Sequence, residues 1–443
     1  MTEEMDDGIH DLLVRGIAAV KAGDVGEARH YLEWVLDRAS RQEQKIDAWW
    51  YLSEISTDTK QVRDYLENIL AIDPMDGRAR RKIAILDGKL KADEIVDPDR
   101  LQPRTQSTAT AEADRFTCPK CGGRMTYAPD GATLVCEYCA AQERISGGQT
   151  SNNVGQDFFV AMATQKGHLH PVDVLTFDCR GCGASFTLPP EQMTFTCPFC
   201  GSTYVVKSSA PHSLLEPDAI IPFSLDEERT KQVLRDWFQV HRAPDPMKMT
   251  QGVGMYLPVW SFSIYGSVPW RGMQQQDTGW ENGGGLRFKE NKLVPCNGED
   301  YVMFDNLLVP ATHNPPQGWE EVAATYQLHD LVAYAPSYLA NWVGVTYQVE
   351  LGDASLDARQ QAVALAKDQI IRGQEKQIID LTISPGNMMV ESFKLLLLPV
   401  WLVHYTSAEK PFTVLVNGQT GEIHDERVEN RGGSLLKRFL GMA

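Results

Sequence analysis

Cys118-Pro-Lys-Cys121 and Cys136-Glu-Tyr-Cys139, then Cys179-Arg-Gly-Cys182 and Cys197-Pro-Phe-Cys200, set the architecture of the middle of this chain. In both sets fourteen residues separate the two pairs. A C-x2-C pair on a tight turn aims two sulfurs at one point, and a second pair across a hairpin completes a tetrahedron. The repeated spacing reads as two small β zinc ribbons. One is held by Cys118, Cys121, Cys136 and Cys139, the other by Cys179, Cys182, Cys197 and Cys200. Four thiolates fill the shell and leave no position for water or substrate, so two zinc ions are expected as structural cofactors and not as catalysts. Glycine follows Cys121, Cys182 and Cys200, where a turn turns its N–H groups toward sulfur. Ala140 follows Cys139 and departs from that pattern. A redox-active dithiol needs a pair beside a helix in a βαβ unit, and four pairs in hairpins lack that setting. Iron suits the same thiolates, and the sequence does not separate the two metals.

The chain has 443 residues, room for two to four domains. Its N-terminus, Met1-Thr-Glu-Glu-Met-Asp-Asp, is acidic and lacks the apolar run of a secretory signal. The longest apolar run, Leu395 to Val403, is nine residues, too short for a helix to cross a bilayer of about 30 Å. Cysteines gathered in C-x2-C pairs suit a reducing compartment, so a cytoplasmic protein is expected. The net charge is −17, which argues against nucleic acid as a partner because phosphate neutralisation drives most such affinity. Between Arg115 and Lys207 seven basic side chains face seven acidic ones, so the ribbons carry no basic patch.

Residues 1–92 read as helices. Ile9, Leu12, Leu13, Gly16, Ile17 and Val20 recur at helical spacing, Gly23-Asp24 breaks the pattern, and Ala28, Tyr31, Leu32, Val35 and Leu36 resume it. A second copy begins at Ala48-Trp-Trp-Tyr-Leu-Ser53 and runs through Val62, Leu66, Ile69 and Leu70 to Ile72-Asp73-Pro74. Arg78 to Leu90 is expected to cap the last apolar face. Residues 93–115 read as a flexible linker by composition. The first ribbon is placed at 116–145, a connector with a short helix over Asp157–Thr164 at 146–176, and the second ribbon at 177–207.

Residues 214–428 alternate strand and helix signals, giving an α+β domain. Leu225 to Val240 is an amphipathic helix capped by Asp226, and Asp357 to Ile371 is another. Leu257-Pro258-Val259-Trp260 and Leu398-Pro399-Val400-Trp401 are identical and each follows a helix, so the domain is expected to be internally duplicated. Proline inside these strands points to an edge or a bulge. Phe412 to Ile423, with Asn417-Gly418 in its turn, reads as a closing hairpin. Residues 429–443 form a tail whose apolar and basic end, Ser434 to Ala443, could touch a membrane surface or a partner; fraying is the default for a terminus.

Other chemistry is sparse. His168 and His170 lie between the ribbons and read as solvated side chains. Cys296 has no identifiable base and reads as a passive thiol. His404 lies on an apolar strand, and duplication places Ser263 at its equivalent. Tyr256, Trp260, Tyr265, Trp401 and Tyr405 either line a groove or pack as core, and core is the ordinary fate of strand aromatics. No phosphate loop, nucleophile elbow or H-E-x-x-H stretch is present, so no catalytic residues are assigned.

Taken with their residues, two stretches bear a family likeness. The N-terminal pattern resembles the tetratricopeptide repeat, in which Gly16 and Ala28 would sit where the two helices cross and whose role is protein–protein binding. Cys179 to Phe223, both Leu-Pro-Val-Trp strands and Val416-Asn-Gly-Gln-Thr-Gly421 resemble a bacterial zinc-ribbon family of unknown function over about residues 116–428. Members carry names taken from transcription factor TFIIB or the primosomal helicase, names that rest on the ribbon alone. The closing hairpin is also similar to the end of PepSY-like domains. The resemblance implies a helical repeat, two zinc ribbons and a duplicated α+β domain. The resulting expectation is a non-enzymatic zinc-binding adaptor that meets a protein partner through its helical repeats. A nucleic-acid-binding ribbon protein and an enzyme with its site hidden in the C-terminal domain are the alternatives.

Overall fold

The computed structural model describes residues 2–39, 41–96, 108–114, 116–127, 133–136, 138–144, 155–169, 174–178, 185–188, 193–196, 203–207, 215–240, 248–249, 252–281, 287–340, 342–374, 376–407 and 410–425. Two compact units divide the chain, Met1–Arg100 and Leu101–Ala443.

The first unit is helical: α1 Thr2–Ala22, α2 Val25–Arg38, α3 Gln42–Ile55, α4 Thr59–Ile72 and α5 Gly77–Leu86. Aspartates start three of them. Asp24, Asp58 and Asp76 accept from the backbone N–H groups of Glu27, Lys60 and Ala79, meeting donors that a helix leaves unpaired in its first turn. Ile9, Leu13, Leu32, Val35, Ala48 and Leu52 form one core. Val62, Leu66, Ile69 and Ala79 form a second, which carries the helical order on to α5. At Gly16 an added Cβ would stand 2.8 Å from Leu32 Cδ2, so α1 and α2 approach too closely there for any side chain. Ala28 is fully buried.

The second unit opens with β1 Thr108–Asp114, β2 Met125–Tyr127, β3 Thr133–Cys136 and β4 Gln142–Arg144. Next come β5 Gln156–Asp157, α6 Phe158–Ala163, β6 Val174–Asp178, β7 Ser185–Leu188, β8 Thr194–Thr196 and β9 Thr203–Lys207. Strands β2, β3 and β4 make an antiparallel sheet of three. The hairpins β6–β7 and β8–β9 belong to a five-stranded sheet ordered β7-β6-β1-β9-β8. Its central strand corrects one expectation: β1 lies inside the stretch read as a linker. The composition Thr-Ala-Thr-Ala offers little apolar surface, but backbone pairing to β6 on one side and β9 on the other does not depend on side-chain bulk. The short helix expected at Asp157–Thr164 is α6, capped by Asp157 on Val160 N–H at 3.1 Å.

The rest of the unit comprises β10 Ala219–Ile220, α7 Glu227–Val240, β11 Lys248–Met249, β12 Val253–Glu281, β13 Arg287–Pro310, α8 Trp319–Ala323, β14 Val332–Ala333 and β15 Val343–Gly344. It closes with α9 Leu351–Gly373, β16 Ile378–Ile383, β17 Met389–Ser407, β18 Lys410–Asn417 and β19 Ile423–Asp425. These strands, with β5, form one eleven-stranded sheet whose central pair is β12 and β17, antiparallel. Asp226 caps α7 on Arg229 N–H at 2.7 Å, while α9 begins six residues before the expected Asp357.

The register is symmetric about the two Leu-Pro-Val-Trp copies. Leu257 of one Leu-Pro-Val-Trp copy stands directly opposite Leu398 of the other, so a local two-fold axis passes between them. Equivalent residues keep equivalent partners. Met255 and Tyr256 pair β15 in parallel, and Leu396 and Leu397 pair β10 in parallel. Val259 begins the ladder to β13 at Pro310, and Val400 begins the ladder to β18 at Asn417. Each half's leading strand therefore lies beside the other half's long strand.

The prolines overturn the expectation of an edge. Pro258 and Pro399 sit in the two central strands. On the outer flank of β12 the partner changes from β15 to β13 at Pro258, and on β17 it changes from β10 to β18 at Pro399. The carbonyls still accept, from Ala311 N–H at 3.1 Å and Gly418 N–H at 2.9 Å, but the missing N–H falls in a gap between partners.

Side chains alternate across this sheet. Trp260, Phe262, Phe393 and Leu395 pack with the alanine stripe of α9 (Ala354, Ala358, Ala362, Ala366). Leu397, Trp401, Val403 and Tyr405 pack with Leu234 and Phe238 of α7. The intervening residues Leu257, Val259, Leu396, Leu398 and Val400 meet Trp319, Val322 and Ala323 of α8 on the other face. The Trp401 indole N–H donates to Leu225 C=O at 3.1 Å, and the Trp260 indole N–H donates to Val349 C=O at 2.9 Å. Both carbonyls lie two residues before a helix, α7 and α9 respectively. Each half's tryptophan thus holds the helix that enters from the other half.

Candidate metal centre

Two turns build the site. After Cys118 the chain reverses through Lys120 and Cys121, closed by Gly122 N–H to Cys118 C=O at 2.8 Å and Cys118 N–H to Gly123 C=O at 2.7 Å. After Cys136 the same turn recurs, with Ala140 N–H to Cys136 C=O at 3.0 Å and Cys136 N–H to Ala141 C=O at 2.9 Å. The β2–β3 ladder pairs Met125 with Cys136 and brings the turns together. Gly122 at φ 72° and Ala140 at φ 53° occupy equivalent left-handed positions. The alanine that broke the sequence pattern adopts the glycine conformation anyway.

The four sulfurs of Cys118, Cys121, Cys136 and Cys139 all lie within 4.8 Å of one another. The Cys118–Cys139 and Cys121–Cys136 separations are 3.6 and 3.4 Å. A tetrahedron with metal–sulfur bonds of about 2.3 Å has edges of about 3.8 Å, so these two edges lie close to those of a tetrahedral shell. Lys120 N–H points at Cys118 Sγ at 3.4 Å. Between the turns, Gly123 leaves no room for a side chain: a Cβ there would stand 3.2 and 3.3 Å from the sulfurs of Cys121 and Cys136 and 2.5 Å from the Tyr138 ring.

The thiols are not equivalent. Desolvation raises the Cys118 thiol, but N–H groups of Lys120 and Cys121 outweigh it and leave it lowered. The backbone N–H of Cys139 chiefly lowers Cys136, to about 7. Cys121 receives the Gly123 N–H, but hydrogen bonds to Cys136 and Cys139 outweigh it and push it up to about 12. Amide donors thus favour thiolate at two sulfurs, the form a metal requires.

Cys118 and Cys136 are buried, Cys121 and Cys139 exposed. The buried pair, with Met125 and Leu134, belongs to the same core as Tyr338, Leu339, Trp401 and Tyr405. Val205 of β9 and Met193, just before β8, join it. Thr194 Oγ1 also donates to Trp342 C=O at 2.7 Å. This site is one face of the main core.

Cys179, Cys182, Cys197 and Cys200 lie outside the described residues, as do His170 and residues 429–443. The strands that flank those cysteines are described and pair as hairpins. His168 meets the Met162 carbonyl at 3.0 Å. Cys296 is partly buried against the α9 core. His404 is exposed on β17, with Nδ1 3.1 Å from Thr413 Oγ1. Tyr256, Trp260, Trp401 and Tyr405 are core, and Tyr265 is half-buried. Sequence reasoning missed Gly123 and the burial of one cysteine from each pair. The sequence carried a sign for Cys136 alone, the apolar Leu134-Val135 that leads into it.

The chain matches no protein-family model and no solved structure. It is similar to an uncharacterized protein, YdjG, of Bacillus subtilis (strain 168), 23% identical over 341 residues that cover 74% of this chain and 94% of the relative. Among the described residues no helix is long and apolar enough to cross a membrane.

Proposed function

We propose that this chain is a non-enzymatic adaptor stapled by structural zinc. The observation that carries the reading is the sulfur quartet: four thiols converge on one point, and a tetrahedral ion held by all four has no position left for substrate or water. Zinc is the proposed ion because an ion without geometric preference of its own takes an all-thiolate tetrahedron at no cost; iron fits the same shell, and metal analysis separates the two. Cys179, Cys182, Cys197 and Cys200 are proposed to hold a second zinc, supported by their identical spacing and the hairpins that flank them. The helical unit is read as tetratricopeptide-like, supported by the close approach at Gly16 and by two consecutive cores along its helices. On that reading it supplies the protein-binding surface, while the zinc sites brace the second unit.

X-ray absorption at the metal edge, with metal analysis of anaerobically purified full-length protein, tests the core of this proposal. About two zinc per chain with sulfur-only coordination is the expected result. Oxygen or nitrogen in the shell, or a metal content near zero, overturns it.

A further inference from the structure

We propose that the exposed face of α5 is a docking surface for an acidic, partly apolar peptide segment of a protein partner. The inference rests on the adaptor reading and names the partner's chemistry. Residues 78–91 hold Arg78, Arg80, Arg81, Lys82, Lys89 and Lys91 against one acid, Asp87. The remainder of the first 100 residues has 9 basic and 21 acidic side chains, so the cations are concentrated here against the trend of the whole chain.

Helical spacing sorts them. Arg78, Arg81, Lys82 and Ile85 fall at i, i+3, i+4 and i+7 and share one stripe, while Ala79, Ile83 and Leu86 pack on the core. Ile85 is 38% exposed among the cations, and Met75 just before the helix is 36% exposed. From α3, Trp50 joins the same surface. The Arg78 guanidinium lies 5.3 Å and the Lys82 ammonium 5.1 Å from its ring centroid. Lys82 is fixed to the Ser53 carbonyl at 3.0 Å and hydroxyl at 3.1 Å, and Arg78 to Asp76 at 2.9 Å. Cations held in place beforehand lose less freedom on binding.

The acids between them favour a peptide over nucleic acid. Asp47, Asp76 and Asp87 sit beside Arg78 and Lys89, and a backbone with a phosphate at every step would meet them. Separate Glu or Asp side chains around an apolar residue seated on Ile85 avoid them.

Fluorescence anisotropy on the full chain tests this with a labelled peptide of alternating Glu and Leu, a Lys-and-Leu counterpart, and oligothymidine as competitor. The acidic peptide is expected to bind and the basic one not. The variant R81E/K89E, whose side chains are exposed, should bind about tenfold more weakly, and R235E in α7 should bind as the parent does. Helical circular dichroism and metal content identify any variant that fails to fold, and charge-neutral R81Q/K89Q then replaces it with a smaller loss in the same direction. Equal binding of both peptides, undiminished binding by R81E/K89E, or stronger competition by oligothymidine than by unlabelled peptide overturns the proposal. Sulfur-only zinc coordination would remain in any of those cases, so the fate of this surface is read separately from that of the metal-stapled scaffold.

Discussion

At the residue scale the metal centre depends on small side chains as much as on cysteine. Ala140 holds a left-handed backbone that costs an L-residue about 1–2 kcal/mol, while Gly122 holds its counterpart without that cost. Ala140→Gly is therefore expected to stabilise the site by about 1 kcal/mol, seen as a higher chelator concentration at half-release of metal. Gly123→Ala should act the other way. The Tyr138 ring can swing aside, but the two sulfurs cannot retreat without loosening the tetrahedron. Affinity is expected to fall about tenfold, the usual cost of disturbing groups around a ligand shell, and competition with a zinc indicator would measure it. The convergence of Cys118, Cys121, Cys136 and Cys139 was legible because C-x2-C spacing is a local constraint. Gly123 was not, because its need for emptiness arises from Tyr138 and Cys136, which only the folded hairpin brings near.

At the scale of elements, the two halves of the sheet cross over. Trp260 and Trp401 occupy equivalent positions and each caps the loop into the other half's helix. Replacing an indole by a phenyl ring removes the donor and leaves a buried (Leu225) or half-buried (Val349) carbonyl without that partner, at about 1–2 kcal/mol. Trp260→Phe and Trp401→Phe are thus expected to lose stability by similar amounts in urea unfolding; a negligible loss in either would remove the lock from that half. The repeated Leu-Pro-Val-Trp made the symmetry of the two halves visible in one dimension. It could not show the crossing, because a parallel partner such as β10 or β15 is only two residues long and carries no signal of which strand it joins. Pro258 and Pro399 misled for the same reason: proline reports a missing donor, and an edge is one way for a donor to be unneeded, a change of neighbours another.

At the scale of the molecule, the first unit was largely readable, since its helices follow local periodicity and Asp caps. The second was less so, because pairing β1 between β6 and β9, or burying Cys118 in one core with Tyr338, depends on contacts between residues far apart in sequence. That shared core couples metal to fold. Each buried sulfur contributes packing to a cluster that also holds Phe223 and Trp401, and Phe223 stacks on Trp342 at 3.9 Å between ring centroids. Without an ion, only S–H hydrogen bonds such as Cys118–Cys139 at 3.6 Å and Cys121–Cys136 at 3.4 Å join the two turns, and the turns lose their anchor. The loss should therefore spread into the core of the second unit, while the two cores of the first contain no cysteine. Chelation of the full-length protein is expected to lower the melting transition of the second unit by on the order of 10 °C and leave that of the first in place. Calorimetry would resolve the two, with helical circular dichroism following the first. The double substitution Cys118→Ser with Cys136→Ser should reproduce the shift without chelator, because it removes one ligand from each turn at the two buried positions. If the second unit melts at the same temperature with and without metal, the core does not depend on the ion, and the sulfur quartet would have to serve something other than stability.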